Sequence, residues 1–337
     1  MIGACSGRPV SITGLGCYAP ERVLTNDELS ALVDTSDEWI QARTGIKERR
    51  IAAPDEATSD LCLPAAEAAL ADAGVTGPEI DLVIVATITS DMVFPSTAAT
   101  LASRLGADSA AAYDLSAGCT GFVYALTQGY GAIAAGLARR VLVVGADTLS
   151  RVVDWEDRAT CVLFGDGAGA VVIEEVEKDG FHVFELGADG AGGMELFMPA
   201  GGSRRPASAE TVAAGEHYVK MNGREVYKFA TRVLPSSAQA VLELSGRSIG
   251  DIDLYVPHQA NLRIIEHAAK KLGVEKERVF VNVDRYGNTS SASIPLALCE
   301  ARAEGRLEDG SLVLMTGMGA GLTWGSSLMT WTEGRGR

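Results

Sequence analysis

Four stretches in the first half of this 337-residue chain return in the same order in its second half, at a nearly fixed distance. Ile80, within Glu79-Ile-Asp-Leu82, and Ile252, within Asp251-Ile-Asp-Leu254, are offset by 172. Leu105 of ASRLG and Leu272 of AKKLG are offset by 167, and Leu142 of VLVVG and Leu312 of LVLMTG by 170. The last echo is a glycine ladder, GDGAGAVV from Gly165 and GMGAGLTW from Gly317, offset by only 152. The shortfall places roughly 18 extra residues in the first copy, near 148–164. Self-similarity of this kind marks one structural plan used twice, so the chain is expected to form two similar halves, 1–176 and 177–337, packed with the site between them.

Within each copy, strand and helix signals alternate. Aliphatic runs near 11–18, 81–89, 111–116, 141–147 and 168–175 read as buried strands, and the alanine-rich stretches 63–74 and 121–138 as helices. Parallel strands need helical crossovers, so this order predicts mixed, mostly parallel sheets covered on both faces. Residues 186–216, rich in Gly, Pro and Ser and without a period, read as a surface excursion or lid.

Composition excludes several functions. The 29 Lys+Arg against 44 Asp+Glu give a net charge of −15, which opposes wrapping by a polyphosphate backbone, so nucleic acid is not an expected partner. No apolar run approaches the ~18 to 20 residues of a bilayer span, and the opening MIGACSGRPV lacks a charged and then apolar leader pattern. A cytoplasmic protein without membrane contact is expected. The six cysteines form no CxxC pair, which argues against a disulfide scaffold or a metal site.

Three residues stand where α/β folds carry chemistry. Cys119 follows an apolar strand and the turn Ser116-Ala117-Gly118 and opens a helical run. A helix start favours thiolate, the nucleophilic form, although a small buried hydrophobe fits the same pattern. His258, in Val256-Pro257-His258-Gln259-Ala260-Asn261, sits at a strand end opening toward a helix, as a catalytic or a structural histidine. Asn288, in Tyr286-Gly287-Asn288-Thr289-Ser290-Ser291, begins another helix, either as a cap or as a donor aimed at a carbonyl. Gly165-x-Gly167-x-x-Ala170 imitates a dinucleotide fingerprint but opens a β-branched run where the fingerprint must open a helix, so a dehydrogenase is disfavoured.

Taken together, the chain resembles the β-ketoacyl-ACP synthase III family, condensing enzymes of the thiolase superfamily that initiate bacterial fatty acid synthesis. The motifs are DTSDEWIQARTGI at 34–46, AGCTGF at 117–122, FGDGAG at 164–169, HQAN at 258–261, GNTS at 287–290 and GAGLTWG at 319–325. The resemblance implies a thiolase-like duplicated five-layered α/β/α/β/α fold with two mixed sheets, usually a homodimer. It implies that Cys119 takes an acyl group from acyl-CoA, a substrate rather than a resident cofactor. His258 and Asn288 would then stabilise the enolate from malonyl-ACP as CO2 leaves, with backbone N–H groups of Cys119 and Ala320 as the oxyanion hole. Trp39, Arg43 and Arg158 would hold the adenine end of CoA, and Asn261 and Arg263 would line the pantetheine approach. Arg224 and Tyr227 belong to the same CoA set, at positions where asparagine and phenylalanine are usual, and Ala320 stands where glycine is usual. Phe94, Phe164 and Met221 would close a short acyl pocket, Phe94 coming from the partner subunit. Lys228, Arg263, Lys270 and Lys271 would dock the acidic carrier protein. The alternative is a starter-unit ketosynthase III-like enzyme or acyltransferase of a secondary-metabolite (polyketide) pathway. A non-catalytic partner subunit is disfavoured by the intact Cys-His-Asn set.

Overall fold

The computed structural model describes residues 1–5 and 7–332. In chain order its main elements are β1 (Ile2–Ala4), β2 (Val10–Tyr18), α1 (Asp37–Thr44), α2 (Thr58–Ala73), β3 (Leu82–Ala86), α3 (Thr97–Arg104), β4 (Ala111–Leu115), α4 (Gly121–Ala134), β5 (Arg140–Asp147), β6 (Gly167–Glu175), β7 (Gly180–Ala188), α5 (Gly223–Ser245), β8 (Leu254–Pro257), α6 (Leu262–Leu272), α7 (Ser293–Ala303), β9 (Leu312–Gly319) and β10 (Thr323–Thr330). Two five-stranded sheets result, in the orders β2-β6-β5-β3-β4 and β1-β7-β10-β9-β8.

The duplication is visible strand by strand. In the first sheet β3 runs parallel to β4 and β5, while β5–β6 and β6–β2 are antiparallel. The second repeats this: β8 is parallel to β9, and β9–β10 and β10–β7 are antiparallel. Where β4 completes the first sheet, a single parallel bridge from Tyr255 to Val279 holds the same place in the second. The starts of β3 and β8 (Leu82, Leu254), of β5 and β9 (Arg140, Leu312), and of α4 and α7 (Gly121, Ser293) all share the offset of 172 seen between Ile80 and Ile252. The extra residues of the first copy lie between β5 and β6, at 148–166, against a connection of only 320–322 between β9 and β10. The start of the chain breaks the symmetry, because residues 2–4 pair with β7 and so extend the second sheet.

The layers follow from where apolar surface must go. Helices α4 and α7, apolar through most of their length, lie between the two sheets, while α2 and α3 cover the outer face of the first sheet and α5 with α6 that of the second. Some boundaries differ from the sequence reading. The strand expected at 81–89 ends at Ala86, because Asp147 captures the next residues into a loop, accepting from Thr87 Oγ1 (3.0 Å), the Ile88 N–H (2.8 Å) and Thr89 Oγ1 (2.9 Å). The excursion at 186–216 folds back: Leu196–Phe197 pairs with Lys220–Met221 and turns side chains toward the interior. Among the described residues no helix is long and apolar enough to cross a membrane.

Candidate active site

The residues singled out from the sequence arrive at one cavity, Cys119 and His258 from strand ends and Asn288 from the segment after the short helix Val283–Tyr286. Cys119 lies in the single turn Gly118–Thr120 that leads into α4. His258 follows β8, its N–H donating to the Thr316 carbonyl (2.7 Å) and so continuing the ladder beside β9. Asn288 precedes the matching turn Ser290–Ala292 ahead of α7, held by its N–H on the Leu163 carbonyl (2.8 Å) and by the Gly165 N–H on its own carbonyl (3.0 Å). All three line a cavity of about 150 Å³ together with Phe164, Tyr227 and Asn261.

Burial sets the charge state of each group. Cys119 is 7% exposed, and desolvation pushes its thiol up to about 12, opposed by the Ser290 hydroxyl and reinforced by the negative charge of Asp147. Burial thus opposes the thiolate expected from the helix start and biases the resting group toward the neutral thiol. His258, 2% exposed, is pushed down to about 3 by burial and is a neutral imidazole at physiological pH. Its Nδ1 lies 2.6 Å from Ser293 Oγ, while its buried Nε2 has no partner among the described residues. Asn288 Oδ1 accepts from the Ser290 N–H (2.9 Å), which leaves the amide nitrogen as the end available to a ligand.

Two glycines allow the backbones around Cys119 to meet. At Gly118, whose φ is +56°, an added Cβ would fall 2.7 Å from the Ala320 nitrogen, and one at Gly319 would strike the Cys119 nitrogen. The Cys119 and Ala320 amides are thus neighbours, as two donors to one oxyanion must be. Ala320 itself has no positive φ, so its methyl group brings no backbone strain.

Beyond Cys119 opens a second cavity of about 200 Å³, lined by Ile88, Leu149, Val152, Phe197, Met198 and Val219 among others. This redistributes the expected acyl-pocket set. Phe164 borders both cavities, Met221 borders only the one that holds His258 and Asn288, and Phe94, 82% exposed, borders neither within this chain. The sequence reading did not name this cavity's other lining residues, several of which come from the first copy's extra residues (Leu149, Val152) and from the excursion (Leu196, Phe197, Met198). Their hydrophobic members, Leu149, Val152 and Phe197, were the available signal.

The surface around the entrance carries the remaining candidates. Arg43 and Arg158 lie over the Trp39 ring at 5.7 and 5.0 Å, and Arg158 donates to the Asp34 carbonyl (2.7 Å). Asn261 caps α6 by accepting from the Arg263 N–H (2.9 Å), and its Nδ2 donates to the Arg43 carbonyl (3.1 Å), tying this helix to α1. The Arg263 guanidinium stands 5.8 Å over the Tyr227 ring. Arg224 is exposed beside the cavity-lining Gly223 but does not itself line the cavity. Lys228 is paired with Glu225 (2.6 Å), whereas Lys270 and Lys271 are exposed at the end of α6.

Comparison with known proteins gives a consistent result. The family described as 3-oxoacyl-(acyl-carrier-protein) synthase III matches residues 113–190, and its C-terminal domain matches 242–331. β-Ketoacyl-(acyl-carrier-protein) synthase III of Symbiobacterium thermophilum is 58% identical over 325 residues, covering 96% of this chain and 98% of that protein. The crystal structure of the Thermus thermophilus protein of the same name superposes with a TM-score of 0.89 at 52% identity, covering 95% and 99% of the two chains. The priming β-ketosynthase of the R1128 polyketide pathway superposes with a TM-score of 0.90 at 38% identity, covering 97% of each.

Proposed function

This chain belongs to the 3-oxoacyl-(acyl-carrier-protein) synthase III family, the condensing enzymes that initiate fatty acid synthesis, and we propose that Cys119, His258 and Asn288 divide its two half-reactions between them. The observation that carries the assignment is their convergence: a buried thiol, an unpartnered imidazole nitrogen and a side-chain amide face one narrow cavity.

In the first half-reaction the Cys119 sulfur attacks the thioester carbonyl of acyl-CoA. The tetrahedral oxyanion is held by the Cys119 and Ala320 N–H groups, the C–S bond to CoA breaks, and the thiol proton leaves on the CoA sulfur. A thiol is exchanged for a thiol, so a neutral resting Cys119 is compatible with turnover. In the second, the thioester oxygen of malonyl-ACP accepts hydrogen bonds from His258 and Asn288. The carboxylate departs as CO2, the enolate carbon attacks the acyl-Cys119 carbonyl, and the Cys119 thiolate leaves and takes a proton from solvent. Charge develops on that oxygen only as CO2 departs, which makes these donors transition-state binders.

The cavity beyond Cys119 supports a short acyl primer. The arginines around Trp39 suit an adenine and its phosphates, since a guanidinium both stacks and pairs with phosphate. Arg263, Lys270 and Lys271 on α6, with Lys228, suit an acidic carrier protein. A homodimer is supported by β4, an edge strand with Tyr113 exposed, beside the exposed Met92, Val93 and Phe94, a combination that a second copy would cover. A cytoplasmic location is supported by substrates that are CoA and carrier-protein thioesters. Incubation with a panel of acyl-CoAs, with and without malonyl-ACP, tests the reading by mass spectrometry: a Cys119 acyl adduct should form and should be consumed to β-ketoacyl-ACP. Absence of either species overturns it.

A further inference from the structure

We propose that Ser293 is a positioning residue that holds His258 in the tautomer with its proton on Nε2, the end facing the thioester oxygen; this rests on the reaction assigned above. Ser293 opens α7 and is 2% exposed. Its Oγ lies 2.6 Å from His258 Nδ1 and accepts from the Gln259 N–H (3.3 Å). A hydroxyl has one proton to give, and among the described residues Nδ1 is the only acceptor bonded to this one. With the serine proton directed at Nδ1, both bonded atoms of the pair are satisfied and the imidazole proton stands on Nε2, the one polar atom of the pair left for a ligand in the cavity. The opposite tautomer would strand the serine proton in a buried site and turn the Nε2 lone pair toward an oxygen that becomes an enolate. The main chain that carries the ring is held in turn by the His258 backbone N–H, which donates to the Thr316 carbonyl.

The arrangement separates two roles that a histidine near a cysteine could play. An Nε2 that carries a proton cannot take one from Cys119, so His258 serves the second half-reaction and not the first, which needs no net proton acceptor.

The test is made on resting enzyme labelled with 15N only at its four histidines, with the His258 signals identified by their loss in His258→Asn. The expected spectrum shows a protonated Nε2 and a bare Nδ1. Ser293→Ala should redistribute the proton, lower malonyl-ACP decarboxylation roughly tenfold and leave Cys119 acylation near parental, and Ser293→Thr, which keeps the hydroxyl, should restore both the spectrum and the rate. A parental His258 protonated on Nδ1 overturns the proposal even if Ser293→Ala does not fold. So does a folded Ser293→Ala that keeps the Nε2 proton, or one that decarboxylates at the parental rate. Failure of the proposed function itself would appear separately, as absence of the acyl adduct on parental Cys119 or of its consumption to β-ketoacyl-ACP.

Discussion

Asn288→Asp replaces a nitrogen by an oxygen at constant shape and so isolates the donor role of this side chain. In the folded enzyme Oδ1 accepts from the Ser290 N–H (2.9 Å), a bond that a carboxylate retains, so the turn before α7 stays in place. The atom left for the ligand changes from a donor to an anionic oxygen aimed at the enolate. One donor to a developing oxyanion is commonly worth ~3 to 4 kcal/mol, or 10²- to 10³-fold in rate, and the like charge adds to that loss. Decarboxylation of malonyl-ACP, followed as CO2 release and acetyl-ACP by mass, should therefore fall about 10³-fold or more, and further than in Asn288→Ala, which removes the donor without adding a charge. Acylation of Cys119, read by intact mass, should stay within roughly threefold of parental. Because the site is buried, the introduced carboxyl is held above its ordinary range, and lowering the pH supplies an O–H donor in place of the lost N–H. Residual activity of the variant relative to parent should rise as pH falls. Decarboxylation by Asn288→Asp within about threefold of parent at neutral pH, or a more severe loss in the alanine variant, refutes the donor assignment.

The other expectations follow from single observations. Cys119→Ser should give no acyl adduct with acyl-CoA in intact-mass analysis, because an alcohol cannot supply the sulfur nucleophile; an equal yield of adduct would refute its role. Neutral burial of His258 means the unfolded chain binds a proton near 6.5 that the folded chain refuses down to about 3, so this residue makes stability fall as pH drops below 6.5. Between pH 7 and 5 the parent should lose about 2 kcal/mol more than His258→Asn in urea denaturation, and equal losses would contradict the burial effect. Leu149, 2% exposed in the wall beyond Cys119, should widen primer length when shortened to alanine, at ~2 to 5 kcal/mol of stability; an unchanged acyl-CoA profile would remove it from the acyl site. Lys270→Glu with Lys271→Glu should raise KM for malonyl-ACP and weaken its salt dependence while leaving acylation by acyl-CoA nearly unchanged.

What the sequence made legible was whatever depends on local order. The duplicated strands, the placement of Cys119 and His258 at strand ends and of Asn288 ahead of a helix, and the extra residues of the first copy all leave marks in pattern and spacing. Quantities that depend on neighbours distant in the chain were not legible. The thiol of Cys119 is pushed up by desolvation, a property of what surrounds it rather than of the helix it begins. The pocket wall joins Leu149 and Val152 to Phe197 and Val219 from a different loop, and no periodicity links them. Ser293 reads only as a residue at a helix start until the fold brings His258 to 2.6 Å from it. The three residues of β1 are too few to show which sheet they join.

The duplication also explains how Cys119 and Asn288 come to line one cavity. The turns Gly118–Thr120 and Ser290–Ala292 stand at the same offset as the strands themselves, so Cys119 lies in one copy of a turn that leads into a helix and Asn288 just ahead of the other. The copies interlock there. A Cβ on Gly145 of β5 would strike the Ser291 carbonyl, and one on its counterpart Gly317 of β9 would lie 3.6 Å from Thr120 Cα. Each half's strand thus crosses the other half's turn, the first crossing at a distance only glycine permits, and neither half could hold a complete site alone. Function then resides in the departures from symmetry. The first copy's long 148–166 connection supplies Leu149, Val152 and Arg158, while the second copy's short 320–322 connection sets Ala320 against Cys119. Ser291, the counterpart of Cys119, has its hydroxyl 2.7 Å from the Ala86 carbonyl and 2.8 Å from Asp147 Oδ2, so it braces the interface, whereas Cys119 borders both cavities.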